Sequence, residues 1–222
     1  MKKRKLIIYG IGRFAEYAAY VFENDSSYEV TAFCVEQAYL DKQLISDKTE
    51  DIIPFEKLQE KFKPVNYDLF IAVGNNLVRE RIFNSAKKKG YKMPTYISSK
   101  ASTWDNLKIG ENCFVGDGCV LQPFTIFGNN NMLFSTIVGH HSNIGDHTLL
   151  SGTILAGNVT VGNYSFLGIH SAIKENIKIG SRNIIGMNSA ITANTDDNSV
   201  YTAATAIKRK ITFQEFNREY IK

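Results

Sequence analysis

The chain has 222 residues, of which 44% are hydrophobic and 22% are charged, and these ordinary globular values argue against a disordered or collagen-like protein. The formal net charge of +4 is mild, and basic residues are interspersed with acidic ones. This balance favours a small phosphate-bearing ligand and argues against a nucleic acid partner. No apolar stretch approaches the roughly 20 residues that span a bilayer, so we expect no membrane insertion.

The cysteines and the first residues bear on location. The three cysteines cannot all pair within the chain, which predicts a reducing, cytoplasmic setting. The basic start resembles a signal peptide, but its apolar run reaches Gly10 at once and has no small-residue cleavage site before Arg13. We therefore expect no secretion signal.

Residues 1–95 alternate strand and helix signals. The pattern predicts strands at Leu6–Tyr9, Tyr28–Val35 and Asp68–Val73, with helices at Arg13–Glu23 and Asn76–Lys89. This alternation is typical of a parallel sheet with crossover helices. We expect a small Rossmann-like α/β domain over residues 1–95.

Residues 96–222 follow a six-residue period instead. Large apolar residues recur at this interval with two five-residue steps: Ile109, Val115, Leu121, Phe127, Leu133, Val138, Ile144, Leu150, Leu155, Val161, Leu167, Ile173, Ile179, Ile185 and Ile191. Helices and alternating strands have other periods, and sandwiches or barrels lack a fixed interval, so the pattern predicts a parallel β-helix of about five coils. Residues 211–222 look like a short amphipathic helix that caps the stack.

A glycine turn follows the first predicted strand. Gly10, Gly12, Arg13 and Phe14 open the first helix, where glycines admit close backbone approach and exposed N–H groups attract a phosphate. Glu36 ends the second strand, where a carboxylate can accept hydrogen bonds from a ribose or a base. The short domain favours a mononucleotide or nucleotide-sugar over NAD. A purely structural tight turn is the alternative.

A second loop, Gly74-Asn75-Asn76, closes the third predicted strand. Either asparagine can cap the helix that follows. If the third strand lies beside the first, this loop also borders the glycine turn at the ligand-binding edge of the sheet.

The four histidines all lie in the repeat region. His140 stands two positions after the inward Val138, so it should point outward, where an imidazole can act as a general base at neutral pH. A metal site is the alternative, but His141, His147 and His170 should lie at different corners and heights, so we expect no metal. His147 and His170 are expected at a surface or interface. Cys113 and Cys119 occupy the small-residue position of the repeat, which predicts packing residues and not nucleophiles.

Together these motifs resemble the bacterial nucleotide-sugar and sialic-acid acyltransferases of the PglD/NeuD type. The resemblance covers nearly the whole chain and rests on the glycine turn and on three phrases: Phe70 to Asn76 with Arg79, His140 to Gly145, and Ala156 to Gly168. It implies a left-handed β-helix, a homotrimer with active sites between subunits, and an acetyl-CoA donor.

The resemblance also implies residue roles. His140 would be the general base, with His141 beside it as the second catalytic residue. Acetyl-CoA would run along a β-helix edge near Gly157 and Gly168, with Lys208 and Arg209 near its phosphates. The family often has an acidic residue directly after the histidine, where this chain has His141, and a second histidine where it has Leu149. We therefore expect another group, from this or a neighbouring subunit, to orient the base.

The sequence thus predicts an N-acetyltransferase that transfers acetyl from acetyl-CoA to the amine of a nucleotide-linked (UDP or dTDP) amino sugar. An O-acetyltransferase acting on a sugar or sialic-acid hydroxyl is the alternative enzyme, since the same base and donor would serve. A nucleotide-sugar-binding scaffold is the alternative from another class.

Overall fold

The computed structural model describes residues 3–40 and 52–215. The first part is an α/β unit whose elements are, in chain order, β1 (Arg4–Tyr9), α1 (Arg13–Asn24), β2 (Tyr28–Val35), α2 (Gln37–Leu40), β3 (Ile52–Pro54), a 3₁₀ turn (Phe55–Lys57), α3 (Leu58–Lys61), β4 (Tyr67–Ile71) and α4 (Asn76–Lys88). These described strands pair in parallel in the order β3-β2-β1-β4. The third predicted strand therefore does lie beside the first. The short strand β3 was not predicted, because three residues ending in proline carry little periodic signal.

The second part is a β-helix of short parallel strands. They are β5 (Tyr96–Ile97), β6 (Lys108–Ile109), β7 (Phe114–Val115), β8 (Val120–Leu121), β9 (Ile126–Phe127), β10 (Met132–Phe134), β11 (Ile137–Val138), β12 (Asn143–Ile144), β13 (Leu149–Ser151), β14 (Ile154–Leu155), β15 (Thr160–Val161), β16 (Phe166–Leu167), β17 (Ala172–Ile173), β18 (Lys178–Ile179), β19 (Ile184–Ile185), β20 (Ala190–Ile191) and β21 (Val200–Tyr201). Since the first of these strands begins at Tyr96, we propose the domain boundary at residues 95–96.

The strands form three faces of a prism. Face 1 contains β5, β7, β10, β13, β16, β19 and β21; face 2 contains β8, β11, β14, β17 and β20; face 3 contains β6, β9, β12, β15 and β18. The residues at the six-residue interval fill the interior: all are buried in one core except Ile109, which is partly buried against it. Cys119 is part of this core, and Cys113 is also fully buried.

Glycines after the inward residues are required by close approach between coils. A Cβ added at Gly110 would lie 2.7 Å from the carbonyl oxygen of Gly128 in the next coil. Real Cβ atoms do not approach that closely, so only glycine fits there.

The corners of the prism are instead turned by residues with positive φ, which repeat once per coil. At corner 1–2 they are Gly118, Ser135, Gly152, His170 and Asn188; at corner 2–3 they are Phe124, His141, Asn158 and Asn176; at corner 3–1 they are Asn112, Asn130, His147, Tyr164, Arg182 and Asn198. Asparagine tolerates this conformation best among residues with a side chain. Each set forms a column of outward side chains along one edge of the prism.

The α/β unit packs on face 1 through aromatic rings. Phe14 lies 5.4 Å from both Phe114 and Phe134, and Tyr96 stacks on Phe114 at 5.0 Å between ring centroids. Phe14 belongs to α1, so the helix that begins at the glycine turn is also the helix that covers this face.

Helix α4 packs on corner 3–1 through Arg79, which is fully buried. The Arg79 guanidinium donates to the carbonyl oxygens of Val73 and Gly74 in its own α/β unit at 2.9 Å. In the β-helix it donates to the carbonyl oxygen of Asn130 at 3.1 Å. It also donates to the Thr148 carbonyl at 3.0 Å and to Asn76 Oδ1 at 3.1 Å. Burial lowers the pKa of Arg79 to about 10, so the side chain stays charged at neutral pH.

The expected C-terminal helix falls mostly outside the described residues. Of residues 211–222, the structure describes 211–215, and 213–215 are helical. Thr212 and Glu215 form a capping box, because Thr212 N–H donates to Glu215 and Glu215 N–H donates to the Thr212 hydroxyl. Across the described chain, no helix has the length and apolarity needed to cross a membrane.

Candidate active site

His140 and His141 are both exposed at corner 2–3, between β11 and β12. The His140 N–H donates to the Gln122 side-chain oxygen at 3.0 Å, and the His141 N–H donates to the Pro123 carbonyl at 3.2 Å. The outward direction predicted for His140 is thus observed. Gln122, which sequence reasoning missed, fixes the backbone beneath this imidazole.

The His140 ring packs against Gly157 of the next coil. A Cβ added at Gly157 would lie 2.7 Å from Cε1 and 2.8 Å from Nε2 of His140, so the ring occupies the space that a side chain would fill. The Asn158 N–H donates to the His140 carbonyl at 2.8 Å and holds the two coils together here. Gly157 therefore lies directly against the candidate base.

The other residues expected near acetyl-CoA lie higher on the stack. A Cβ added at Gly168 would lie 3.1 Å from the Ile185 carbonyl oxygen, so glycine allows close coil packing there. Lys208 and Arg209 are exposed in the irregular segment after β21. Their role in phosphate binding stays a prediction.

The glycine turn connects β1 to the start of α1. Gly10 has φ +124°, and a Cβ there would lie 2.8 Å from the Ala72 carbonyl oxygen, so glycine is required. Gly12 is the N-cap of α1 and supplies no side-chain cap, which leaves the helix start open to an anion. Arg13 and Phe14 line a cavity of about 350 Å³ together with Tyr17, Gly74, Met132, Phe134 and Leu149.

This cavity lies where the sheet edge of the α/β unit meets face 1. Apart from Arg13, its lining side chains are aromatic or aliphatic, and Gly74 contributes backbone. The cavity joins the two predicted ligand loops, since Arg13 and Phe14 come from one and Gly74 from the other. It is the candidate acceptor pocket.

Glu36 is already occupied by neighbours in this structure. Arg81 binds both of its carboxylate oxygens, with Nη2 2.8 Å from Oε2, and the Tyr9 hydroxyl donates at 3.2 Å. The hydrogen bond from Arg81 lowers the pKa of Glu36. Any ribose hydroxyl that Glu36 binds must therefore share the carboxylate with Arg81, a residue that the sequence analysis did not single out.

The two asparagines of the second loop have separate tasks. Asn75 is the cap, since its Oδ1 accepts from the N–H groups of Leu77 and Val78 at 3.1 Å. Asn76 donates to the Tyr164 carbonyl at 3.1 Å and accepts from Arg79. Asn76 thus links the α/β unit to the β-helix, and Gly74 is the residue of this loop that reaches the cavity.

His147 is buried at the junction of the two units. Its Nδ1 accepts from the Asn130 amide at 2.8 Å, and its ring stacks on Tyr164 at 5.2 Å. Burial lowers the pKa of His147, against the opposing effects of Glu80 and Asp146. It is an interface residue within one chain, whereas His170 is exposed at corner 1–2.

The cysteines have packing roles. Burial raises the pKa of Cys113 to about 12 and also raises that of Cys119. Neither thiol is therefore a nucleophile at neutral pH. Among the described residues, no group of three or more His, Cys, Asp or Glu side chains is arranged to hold a metal ion.

The candidate base and the candidate acceptor pocket lie on different sides of one chain. His140 stands at corner 2–3, whereas the cavity opens on face 1 and none of its lining residues belongs to corner 2–3. A second cavity of about 420 Å³ lies at corner 1–2 against His170 and likewise excludes His140.

These features define a class of protein in which an α/β unit with a glycine turn is joined to a three-faced β-helix that carries an outward histidine. Residues 5–86 match the family model described as the PglD N-terminal domain. The match spans most of the α/β unit and none of the β-helix.

Solved structures share the whole fold. The acetyltransferase domain of PglB from Neisseria gonorrhoeae, in complex with acetyl coenzyme A, has a TM-score of 0.79 at 22% identity, covering 89% of this chain and 95% of that one. A perosamine N-acetyltransferase from Caulobacter crescentus, in complex with CoA and GDP-perosamine, has a TM-score of 0.77 at 19% identity, covering 88% and 92%. WeeI from Acinetobacter baumannii has a TM-score of 0.74 at 19% identity, covering 89% and 96%.

The solved structures confirm the fold class predicted from the sequence, a small Rossmann-like sheet followed by a left-handed β-helix. The match of residues 5–86 agrees with the resemblance over the α/β unit.

Proposed function

We propose that the protein is an acyltransferase that moves the acetyl group of acetyl-CoA to the amine of a nucleotide-linked amino sugar. The observation that carries the proposal is the His140 imidazole, exposed at a β-helix corner and seated on Gly157. Solved proteins with the same fold bind acetyl coenzyme A, or CoA together with GDP-perosamine. These complexes support the expected donor and the expected class of acceptor.

The reaction is a direct transfer. His140 Nε2 removes a proton as the sugar amine attacks the thioester carbonyl, the C–N bond forms, the C–S bond breaks, and the proton passes to the leaving CoA thiolate. A backbone N–H of the β-helix stabilises the oxyanion. An acyl-enzyme step has no candidate thiol among Cys34, Cys113 and Cys119, since all three are buried.

The acceptor binds at the junction of the α/β unit and face 1. Its diphosphate lies at the Gly10–Gly12 turn and the start of α1, with Arg13 as the counter-charge, and Glu36 with Asn75 lies at the same sheet edge. The cavity behind the turn takes the sugar. Acetyl-CoA runs along the β-helix past Gly157 and Gly168, with Lys208 and Arg209 at its phosphates.

A second copy of the chain completes the active site. Because the pocket on face 1 and His140 at corner 2–3 are separated within one chain, the base that serves one pocket comes from a neighbour. Outward apolar side chains on face 2 are available for such a contact, including Ile137 at 37% and Ile154 at 51% exposure. A homotrimer, as the resemblance implies, is a closed cyclic assembly in which each subunit supplies one pocket and one base.

The experiment compares His140→Ala with His170→Asn, which replaces an exposed histidine at another corner by a residue that tolerates its positive φ. Turnover of acetyl-CoA with a panel of nucleotide-linked amino sugars is followed by release of the free thiol. We expect His140→Ala to lower turnover by about a hundredfold or more, while His170→Asn keeps wild-type turnover. Equal turnover of the two variants would remove His140 from the mechanism.

Ligand-induced thermal shifts separate the rival functions. Stabilisation by both CoA and a nucleoside diphosphate, with thiol release on amino sugars, supports the proposal. Release on sugar hydroxyls alone supports the O-acetyltransferase, and stabilisation by the nucleotide without CoA supports the scaffold.

A further inference from the structure

The two exposed histidines at corner 2–3 contact each other through a specific pair of atoms. His140 Nδ1 lies 3.1 Å from His141 Nδ1, and the ring planes are 86° apart. At this distance one nitrogen must carry a hydrogen and the other must accept it. The pair therefore has two neutral arrangements, which differ in the nitrogen that carries the proton on each ring.

The backbone and packing fix His141 in this contact. His141 has a φ of +58°, like the other residues of the corner 2–3 column, and this backbone conformation directs its side chain along the edge of the prism. Its ring lies over Phe124 of the preceding coil, 4.7 Å between centroids. His140 is fixed from the other side by Gly157, which lies against its Cε1 and Nε2 edge.

Only one arrangement leaves His140 able to act as a base. If His140 Nδ1–H donates to His141 Nδ1, then His140 Nε2 keeps a free lone pair on the edge that lies over Gly157. In the other arrangement His140 carries its hydrogen on Nε2 and has no free lone pair for the substrate proton.

We propose that His141 is a positioning residue, a neutral hydrogen-bond acceptor that holds His140 in the Nδ1–H form. The inference rests on the proposed function and adds the group that orients the base. When His140 takes the amine proton on Nε2, it becomes an imidazolium whose Nδ1–H still donates to His141. His141 thus does with a ring nitrogen what a carboxylate at this position would do with an oxygen.

The test uses two substitutions that both tolerate positive φ. His141→Asn keeps an acceptor, since an asparagine side-chain oxygen stands near the place of the histidine Nδ1, and asparagine already occupies the same column at Asn158 and Asn176. His141→Gly removes the acceptor without backbone strain. Asn176→Gly is the matched control, because it makes the same kind of change in the same column two coils away.

We expect His141→Gly to lower kcat by about 10- to 100-fold, as when the partner that orients a metal-bound histidine is lost, with the KM for acetyl-CoA unchanged. His141→Asn should recover kcat to within about threefold of wild type on the same assumption, and Asn176→Gly should match wild type. Loss of kcat in His141→Asn equal to that in His141→Gly, or full kcat in His141→Gly, overturns the proposal.

A second measurement does not depend on activity. Nitrogen-15 NMR of the histidine rings reports which nitrogen carries hydrogen, and we expect Nδ1–H for His140 in the wild type and a shift toward Nε2–H in His141→Gly. A wild-type His140 in the Nε2–H form overturns the proposal. If the Nδ1–H form is present but no acceptor is acetylated, the positioning contact stands and the proposed function fails.

Discussion

Arg79 is the residue whose removal should reveal most about how the two units are held together. It is fully buried on α4 and donates to four backbone carbonyls and one side-chain amide. In Arg79→Met the Thr148 carbonyl keeps a partner, the Met132 N–H at 3.1 Å, but the carbonyls of Val73, Gly74 and Asn130 lose theirs.

Leaving the buried Asn130 carbonyl unpaired costs about 1–3 kcal/mol, and the more exposed Val73 and Gly74 carbonyls each lose a hydrogen bond to a charged group worth about 1.5–3 kcal/mol, so the losses amount to roughly 4–9 kcal/mol. Part of this is offset, because the variant no longer has to bury a charge. We expect Arg79→Met to lower the free energy of unfolding by about 3–5 kcal/mol, comparable to breaking a buried ionic network. At about 2–4 °C per kcal/mol for a chain of this size, Tm should fall by roughly 6–20 °C.

The assay is thermal unfolding followed by circular dichroism, with Arg81→Met as the control. Arg81 lies two residues further along α4 and pairs with Glu36, but its side chain is 54% exposed, so its loss should cost about 1 kcal/mol or less. If the two variants melt within 2 °C of each other, the buried arginine is not what joins the units, and the reasoning from its five hydrogen bonds is wrong.

Three further predictions concern His147, Gly157 and the assembly. Because burial lowers the pKa of His147, the unfolded chain binds a proton at this residue more readily than the folded chain does. The stability that neutral His147 contributes is therefore fully present above about pH 6.5 and falls as the pH drops below it. The Tm of His147→Asn should fall less steeply than that of the wild type between pH 7 and 5, and parallel plots of Tm against pH would contradict this. Gly157→Ala should push the exposed His140 ring aside and lower turnover by about tenfold or more with little change in Tm. Unchanged turnover would show that the contact between Gly157 and the His140 ring does not matter for catalysis. Light scattering at micromolar concentration should report a trimer, and a monomer that is fully active would show that one chain contains a complete site.

Much of the β-helix was predictable because each coil repeats one local rule. The inward residues and the outward direction of His140 follow from position within a six-residue unit, and no distant partner is needed to deduce them. The long elements α1, β2 and α4 were predicted for the same reason, since their periodic patterns are complete within the segment.

The contacts between the units were not predictable from local pattern. Glu36 looked free to bind a ribose, but Arg81, 45 residues later, holds it. Arg79 entered only as part of a phrase, because its partners Asn130 and Thr148 are 51 and 69 residues away. The corner column at His147, Tyr164 and Arg182 was hidden as well, because these residues replace the asparagine that marks a positive φ elsewhere.

The contacts at the corner 3–1 column also determine where the β-helix can accept additional coils. The contacts between α4 and the prism use three successive coils: Arg79 reaches the coils of Asn130 and Thr148, and Asn76 reaches that of Tyr164. An extra coil inserted between His147 and Tyr164 would move these contact points about 4.8 Å further apart, the spacing of neighbouring strands, and would break the contacts. Coils added beyond Arg182 would lengthen the prism and leave the contacts with α4 intact. Natural variation in the number of coils should therefore accumulate at that end.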